Sequence, residues 1–253
     1  MRYIRGFYMS LGMFCAIPLP TYIWDEKLAK LMVATFPLVG TIIGLIWWLT
    51  SWVFIAFDLP LMMVASILTV MPFLVAGFIH LDGYMDTSDA LLSRRSLEDS
   101  LIILKDPRVG AFAVIMLVIL LLLQFGAMYT IAQNGRYLAL LVVICVLSRS
   151  CSSLGIFTLQ HMSGSNYTAM LGKDIGIGCK LFVVSIVLVA IVIAVIYAGI
   201  VGLLIALATV IGYSLAMRVV YKAFKGVSGD LLGYCLVIGE LCGLMALALL
   251  QNI

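Results

Sequence analysis

Long apolar stretches decide what this chain can fold into. Seven runs of roughly membrane-spanning length occur, at residues 31–57, 59–80, 110–132, 137–160, 181–199, 200–221 and 231–250. A transmembrane helix needs about 20 mostly apolar residues. Of the 253 residues, 64% are hydrophobic and only 11% are charged, too few to cover a soluble domain of this size. The sequence therefore predicts an all-α, polytopic integral membrane protein with about seven transmembrane helices.

The basic residues are distributed unevenly along this pattern. If seven helices alternate, the N-terminus and the loops 81–109, 161–180 and 222–230 share one side. Arg136 and Arg149 aside, all the other Lys and Arg residues, thirteen of fifteen, belong to that side. Such an excess is typical of cytoplasmic segments. We therefore expect a cytoplasmic N-terminus, a C-terminus outside the membrane, and residues 1–20 as an interfacial or re-entrant segment.

Glycine and proline residues predict how the helices pack and bend. Small-residue spacings that allow close helix approach occur twice, as Gly40-x-x-x-Gly44 and Gly239-x-x-x-Gly243. Pro37 and Pro72 would kink their helices unless neighbours satisfy the carbonyls that they free. Near Gly199, the two apolar runs are so close that residues 181–221 could form one helical hairpin with almost no loop.

Three aspartates follow the second apolar run. Asp82, Asp86 and Asp89 are spaced i, i+4 and i+7, within about 60° of arc on a helix that continues from that run. Three carboxylates on one face repel one another, so a cation is expected among them, and Mg²⁺ suits an all-carboxylate site that also holds phosphate oxygens. The alternative is a solvated helix face at the membrane surface. A solvated face would intersperse lysines, but no Lys or Arg occurs between Asp82 and Arg94, which favours the metal site.

Basic residues come shortly after this carboxylate face. Arg94, Arg95, Lys105 and Arg108 lie in the loop that follows, with Asp106 between the last two. Carboxylates that hold a cation, together with nearby arginines, can bind a pyrophosphate and stabilise charge in phosphoryl transfer. The alternative is that these basic residues serve only to anchor the loop on the cytoplasmic side.

Three further ionisable residues have two interpretations each. His80 precedes Asp82 by two residues and would point away from the carboxylate face, as a local hydrogen-bonding group or as a general base. Arg149 and Glu240 lie near the middle of their helices, where charged side chains face the protein interior. They could form a structural ion pair with each other, or they could contact the substrate. Asp230 is about 15 Å along a helix from Glu240, so these two carboxylates cannot bind one ion.

These residues resemble the motifs of a known family. Residues 80–90, HLDGYMDTSDA, are similar to the HLDGLADTxDG signature of cobalamin synthases, the adenosylcobinamide-GDP ribazoletransferases, with Ala90 in place of the usual glycine. Residues 105–110, KDPRVG, resemble the K/R-D-x-R-x-G motif of that family, although 111–113 depart from its pattern. Further resemblances are at 17–20, 36–40, 148–149, 228–233 and 239–241, in the same order and over the whole chain.

The resemblance implies one membrane-embedded domain over 1–253 with its active site at the cytoplasmic face. The implied reaction transfers adenosylcobinamide phosphate from adenosylcobinamide-GDP to α-ribazole or α-ribazole 5′-phosphate, with Mg²⁺ and release of GMP. Asp82, Asp86 and His80 are the predicted catalytic residues, and Asp82, Asp86 and Asp89 the predicted metal ligands. The predicted substrate-binding residues are Lys105, Asp106, Arg108, Arg94, Arg149, Asp230 and Glu240.

The predicted partners are the corrinoid nucleotide, α-ribazole and the lipid bilayer, with no nucleic acid. A homo-oligomer and contacts with other cobalamin-assembly enzymes stay open.

Two other functions are weighed against this one. A CDP-alcohol-type membrane phosphotransferase would carry Ala-Arg after its Asp-Gly, where this chain has Tyr84-Met85. An ion-coupled secondary transporter could use Asp82, Arg149 and Glu240, but transporters place such charges at the midplane between related halves. Most charges here lie at one surface, and the sequence has no internal repeat.

Overall fold

The computed structural model describes residues 2–57, 59–162 and 176–252, which leaves most of the predicted cytoplasmic loop 161–180 outside the described residues. Helices dominate, and no strand occurs in the described ranges, so the all-α prediction is confirmed. The helices are α1 Arg2–Phe14, α2 Ala29–Ala56, α3 Leu61–Val75, α4 Ile79–Leu92, α5 Leu97–Ile103, α6 Ala111–Asn134, α7 Leu140–Thr158, α8 Ile177–Phe224 and α9 Gly229–Leu250. The largely buried α7 packs against α2, α8 and α9.

The helices confirm a polytopic membrane protein. Within the described residues, five helices are long and apolar enough to cross a membrane, or six if the bent pair α3–α4 forms one span. The helix α1 is too short to be among them, as expected for an interfacial segment. The total of seven crossings stays a prediction, and it depends on α8.

Two residues divide α8 into the arms 177–197 and 200–224. Ala198 and Gly199 leave the helical backbone region, and Gly199 has a φ of 56°. A Cβ on Gly202 would lie 3.3 Å from the Cα of Ala194, whereas eight residues of straight helix extend about 12 Å. The chain therefore reverses here, which confirms the predicted hairpin with almost no loop. If each arm crosses the bilayer separately, the number of crossings rises by one.

The junction between α3 and α4 corrects the predicted second span. That span was expected at 59–80, with its helix continuing into the aspartates, but α3 ends at Val75 and α4 runs at 94° to it. The Phe78 amide donates to the Phe73 carbonyl at 2.9 Å and the Gly77 amide to the Leu74 carbonyl at 3.2 Å. This pair of bonds ends a helix when a glycine follows it in the left-handed region, and Gly77 has a φ of 67°.

Both helix-interior prolines have partners for the carbonyls that they free. Pro72 cannot donate to Leu68, and the Trp47 indole N–H of α2 donates to that carbonyl at 2.9 Å. Pro37 cannot donate to Val33, and the Ser153 hydroxyl of α7 donates there at 2.8 Å. Neighbouring helices therefore satisfy both freed carbonyls, and the two bonds tie α2 to α3 and to α7.

The two small-residue spacings mark close helix contacts. A Cβ on Gly44 would lie 2.6 Å from the Cα of Val142, so α2 and α7 touch nearly backbone to backbone. A Cβ on Gly239 would lie 3.0 Å from the Cβ of Tyr213, so α9 also packs closely against the second arm of α8. Small residues thus allow close packing of α2 on α7 and of α9 on α8.

Candidate active site

The predicted carboxylates lie on the outward side of α4. Asp82 is exposed, Asp86 and Asp89 are partly exposed, and the residues between them, such as Tyr84 and Thr87, are buried. This side of α4 therefore presents three acidic groups over two turns, as the spacing predicted.

A fourth carboxylate joins them from the far end of the sequence. The Ser228 hydroxyl caps α9 by accepting from the Leu231 amide at 3.4 Å, which places Asp230 in the first turn. A Cβ on Gly83 would lie 2.8 Å from the Cα of Asp230, so α4 and the start of α9 are in direct contact. The negative charges of Asp82, Asp230 and Asp89 all act on Asp86. We call these four residues the carboxylate cluster.

Asp89 connects the cluster to the second motif. Its carboxylate packs against Gly110, where any side chain would overlap it. Gly110 is the residue that precedes α6, and the N-terminus of a helix stabilises a nearby negative charge. The final glycine of the KDPRVG motif therefore leaves room for the third aspartate of the first motif. This contact gives Asp89 a structural role beside the predicted metal role.

The basic residues lie in the exposed segment between α4 and α6. The Arg108 guanidinium donates to both carboxylate oxygens of Asp106, at 3.0 and 2.7 Å, and holds the pKa of Asp106 at about 2. Lys105, Arg94 and Arg95 are exposed, and Arg94 ends α4 with a φ of 50°. Asp106 is thus engaged within its own loop, and the side chains of Arg94, Arg95 and Lys105 face solvent.

His80 lies on the opposite, inner side of α4. It is buried, its ring lies 5.6 Å from that of Phe36 and 6.1 Å from that of Phe14, and its Nε2 has no hydrogen-bond partner among the described residues. The structure therefore keeps His80 apart from the outward carboxylates. Its predicted part in catalysis stays a prediction, without direct contact to the carboxylate side.

Arg149 and Glu240 form a buried ion pair between α7 and α9. The Ser148 hydroxyl donates to the same Glu240 oxygen at 3.0 Å, and Arg149 Nη1 also contacts the Cys145 carbonyl. A Cβ on Gly40 would lie 2.8 Å from Arg149 Cδ, so this glycine makes room for the arginine. The structural pair, left open by the sequence, is therefore present, with His80 on the wall of the same small internal space.

An open cavity next to Asp82 contains residues that the sequence did not single out. Its volume is about 450 Å³. It lies between the end of α1 and the bend that joins α3 to α4. The residues that line it are Met13, Cys15, Ala16, Ala76, Gly77, Phe78, Ile79 and Asp82. Among these residues the sequence had singled out only Asp82, and a further signal existed for Gly77, as a helix-ending glycine.

The carboxylate cluster has the donor chemistry that Mg²⁺ prefers. Hard oxygen ligands and mutual repulsion both favour a bound cation. No three His, Cys, Asp or Glu side chains of the described residues are gathered closely enough to hold an ion by themselves. Mg²⁺ usually takes one or two carboxylates together with waters and substrate phosphates. The cluster fits that mode, with exposed Asp82 and partly exposed Asp86 and Asp89 as the residues of α4 that would hold the ion.

Fold and site together define a class: a polytopic helical membrane protein that assembles carboxylates from two distant motifs at one end of its bundle. Comparison with known proteins then places the chain more closely. It belongs to the cobalamin-5-phosphate synthase family, whose family model matches residues 6–248.

Relatives at full length support this membership. A protein named adenosylcobinamide-GDP ribazoletransferase from Clostridium perfringens strain SM101 is 35% identical over 98% of this chain and 99% of its own. Proteins of the same name from Clostridium botulinum strain Alaska E43 and Lachnoclostridium phytofermentans are 35% and 30% identical, over 97% and 100% of this chain and 97% of each relative. No solved structure matches the chain.

Proposed function

We propose that this protein transfers adenosylcobinamide phosphate from adenosylcobinamide-GDP to α-ribazole, or to α-ribazole 5′-phosphate, and releases GMP. The observation that carries the proposal is the carboxylate cluster, because α4 and α9 bring four acidic groups to one exposed position. The activity named for the full-length relatives supports it.

The chemistry requires a deprotonated alcohol next to a phosphorus. A ribose hydroxyl oxygen of the acceptor forms a bond to the phosphorus of the cobinamide phosphate, and the bond from that phosphorus to the bridging oxygen of GMP breaks. The hydroxyl proton passes to a carboxylate, for which Asp82 is the most exposed candidate of the cluster. The electron pair of the broken bond leaves with GMP.

The remaining groups of the site hold the substrates in place. Exposed Arg94, Lys105 and Arg108 lie close behind the cluster in the chain and suit the pyrophosphate charges. Bound Mg²⁺, held by Asp82 and Asp86, would neutralise charge on the phosphate oxygens. Arg149 and Glu240 support the site indirectly. Their pairing fixes α7 against α9 and so positions the start of α9 against α4.

We also propose the cytoplasmic membrane as the location, with the N-terminus and the active site cytoplasmic and the C-terminus outside. The bias of Lys and Arg residues supports it. Homo-oligomer formation and contacts with other cobalamin-assembly enzymes stay predictions. Membership of the family favours this function over a CDP-alcohol phosphotransferase, and the internal pairing of Arg149 with Glu240 weighs against their use in ion coupling.

The direct test is turnover by the purified protein in lipid vesicles. Adenosylcobinamide-GDP, α-ribazole and Mg²⁺ should yield GMP and a corrinoid product that carries the ribazole, both measured by chromatography. Parallel reactions omit α-ribazole or replace Mg²⁺ with a chelator. Release of GMP that does not depend on α-ribazole would indicate hydrolysis and contradict the transferase.

A further inference from the structure

We propose that the cavity between the end of α1 and the α3–α4 bend binds the aromatic base of α-ribazole and directs a ribose hydroxyl towards Asp82. This inference rests on the proposed function and assigns one of its two substrates to a particular place. The cavity has about 450 Å³ of space, and Asp82 stands at its edge. Volumes of this order hold small molecules of nucleoside size.

The walls of the cavity match an apolar, flat ligand. Apart from Asp82, the residues that line it are apolar or small, including Met13, Ala16, Phe78 and Ile79. An aromatic base can lie against such walls, while the hydroxyls of its ribose need a hydrogen-bond acceptor. The cavity offers that acceptor in the Asp82 carboxylate.

Phe78 is held in a conformation that costs free energy. Its φ is 63°, which is unfavourable for a bulky residue, and yet the residue is 49% exposed and is among those that line the cavity. Backbone strain of this kind is concentrated at functional sites, where the surrounding structure maintains it. A glycine at this position would be less strained, so the benefit that offsets the strain must come from the aromatic ring. An aromatic ring at a cavity wall stacks well on a planar base.

Two hydrogen-bonded contacts fix the opposite wall. The Ala16 amide donates to the Val75 carbonyl at 2.8 Å, which joins the chain after α1 to the last turn of α3. The Tyr8 hydroxyl donates to the Thr21 carbonyl at 2.7 Å, which folds the segment after α1 back along that helix. The cavity is therefore shaped by backbone on both sides before any ligand binds.

The other substrate suits this cavity poorly. A corrin macrocycle is much larger than a nucleoside, and the pyrophosphate of a GDP derivative would meet the negative charge of Asp82 with no Lys or Arg among the lining residues. Exposed Arg94, Arg95 and Arg108 lie instead along the 94–108 segment. The exposed arginines of α1, Arg2 and Arg5, are at its N-terminal end, whereas the cavity is at its C-terminal end. The corrinoid nucleotide is thus expected on that side of the carboxylate cluster, and the acceptor on the α1 side.

Cys15 allows a test that does not depend on turnover. Cys15 is a free, partly exposed cysteine among the residues that line the cavity, so an alkylating reagent should modify it in vesicles, and mass spectrometry can follow that single peptide. Saturating α-ribazole should slow the modification at least about 5-fold, and adenosylcobinamide-GDP alone should not. The partly buried Cys151 serves as a control whose modification rate α-ribazole leaves unchanged.

A second measurement uses the strained ring. Phe78→Ala should raise the KM for α-ribazole about 10-fold, the size of one lost aromatic contact, and leave the KM for adenosylcobinamide-GDP unchanged. The matched control is Phe57→Ala at the end of α2, a residue that is 75% exposed and far from the cavity in the chain. Its two KM values should stay at wild-type level.

The outcomes separate this inference from the proposed function. Normal turnover with no protection of Cys15 by α-ribazole would overturn the assignment and leave the transferase intact. Protection without turnover would support the binding site and contradict the reaction. Protection of Cys15 by adenosylcobinamide-GDP instead would assign the cavity to the corrinoid nucleotide and overturn the inference. A Cys15 that stays unreactive in vesicles until lipid is removed would assign the cavity to lipid and overturn it as well.

Discussion

The ion pair of Arg149 and Glu240 is almost completely buried, with 1% and 6% of the two side chains exposed. A charge near the centre of a membrane helix is costly unless it has a partner. Ser148 and the Cys145 carbonyl add hydrogen bonds, so both charges have several contacts. The pair therefore holds α7 and α9 in one relative position, and through α9 it positions Asp230 beside α4.

We expect Arg149→Leu and Glu240→Leu each to destabilise the folded protein by about 3–5 kcal/mol, because each leaves an uncompensated buried charge. The double variant should recover most of this loss. Denaturant titration of the proteins in vesicles or mixed micelles gives their free energies of unfolding, and from these the coupling between Arg149 and Glu240. Independent and additive losses from the two single changes would contradict the pair.

Asp82 is expected to act in chemistry and not in packing, since its side chain is exposed at the edge of the cavity. Asp82→Asn should lower kcat by at least about 100-fold, the usual contribution of a general base, while membrane insertion and thermal stability stay unchanged. Asp99→Asn on α5 is the matched control, an exposed carboxylate outside the cluster. Near-normal turnover by Asp82→Asn would rule out this role.

At the scale of the helices, the prolines and their partners explain how α2 can hold two neighbours. The indole of Trp47 and the hydroxyl of Ser153 each donate to a carbonyl that a proline leaves free. A buried carbonyl without a partner costs about 1–3 kcal/mol, so each bond contributes to the packing of its helix pair.

This arrangement predicts a specific rescue. Trp47→Phe should destabilise the protein by about 1–3 kcal/mol, because the Leu68 carbonyl loses its donor. In a Pro72→Ala background the helix can supply its own amide to Leu68, so the same Trp47→Phe change should cost less. Trp52→Phe on the 58% exposed position of α2 is the control and should have little effect in either background. Equal losses in both backgrounds would contradict the proposed bond.

How much could be predicted from the sequence differs between elements. The apolar runs predicted the helices, and the small-residue spacings predicted close contacts, because both signals are local to one helix. The 94° bend was missed, since Gly77 lies within a continuous apolar run that a helix could have crossed. The position of Asp230 beside Gly83 could not be predicted from the sequence either, because it depends on how α4 packs against α9. The cavity arises from the same unpredicted bend.

At the scale of the whole molecule, the contacts separate the two ends of the bundle. The segment after α1 is bonded to the α3–α4 bend, and α4 touches the start of α9, so these parts share one end. At the end of α9, the Arg136 guanidinium donates to the Gln251 carbonyl at 3.2 Å, and the Gln251 amide donates to the Thr130 carbonyl at 2.8 Å. Because α9 is one unbroken helix, the carboxylate cluster and the C-terminus lie at opposite ends.

This separation leads to the prediction for topology. A reporter inserted near Ser96, in the segment after the aspartates, should be cytoplasmic, and a reporter fused after residue 253 should be outside, because the basic residues mark the end with the cluster as cytoplasmic. Alkaline phosphatase, which is active outside the cytoplasmic membrane, and a fluorescent protein, which is fluorescent in the cytoplasm, are placed at both positions to measure on which side each one lies. Replacing Arg136 with Gln should leave the result unchanged, since thirteen other basic residues remain at the cluster end of the predicted topology. A C-terminal reporter that works only in the cytoplasm would mean an even number of crossings. Either the bent pair α3–α4 or one arm of α8 would then not cross the bilayer.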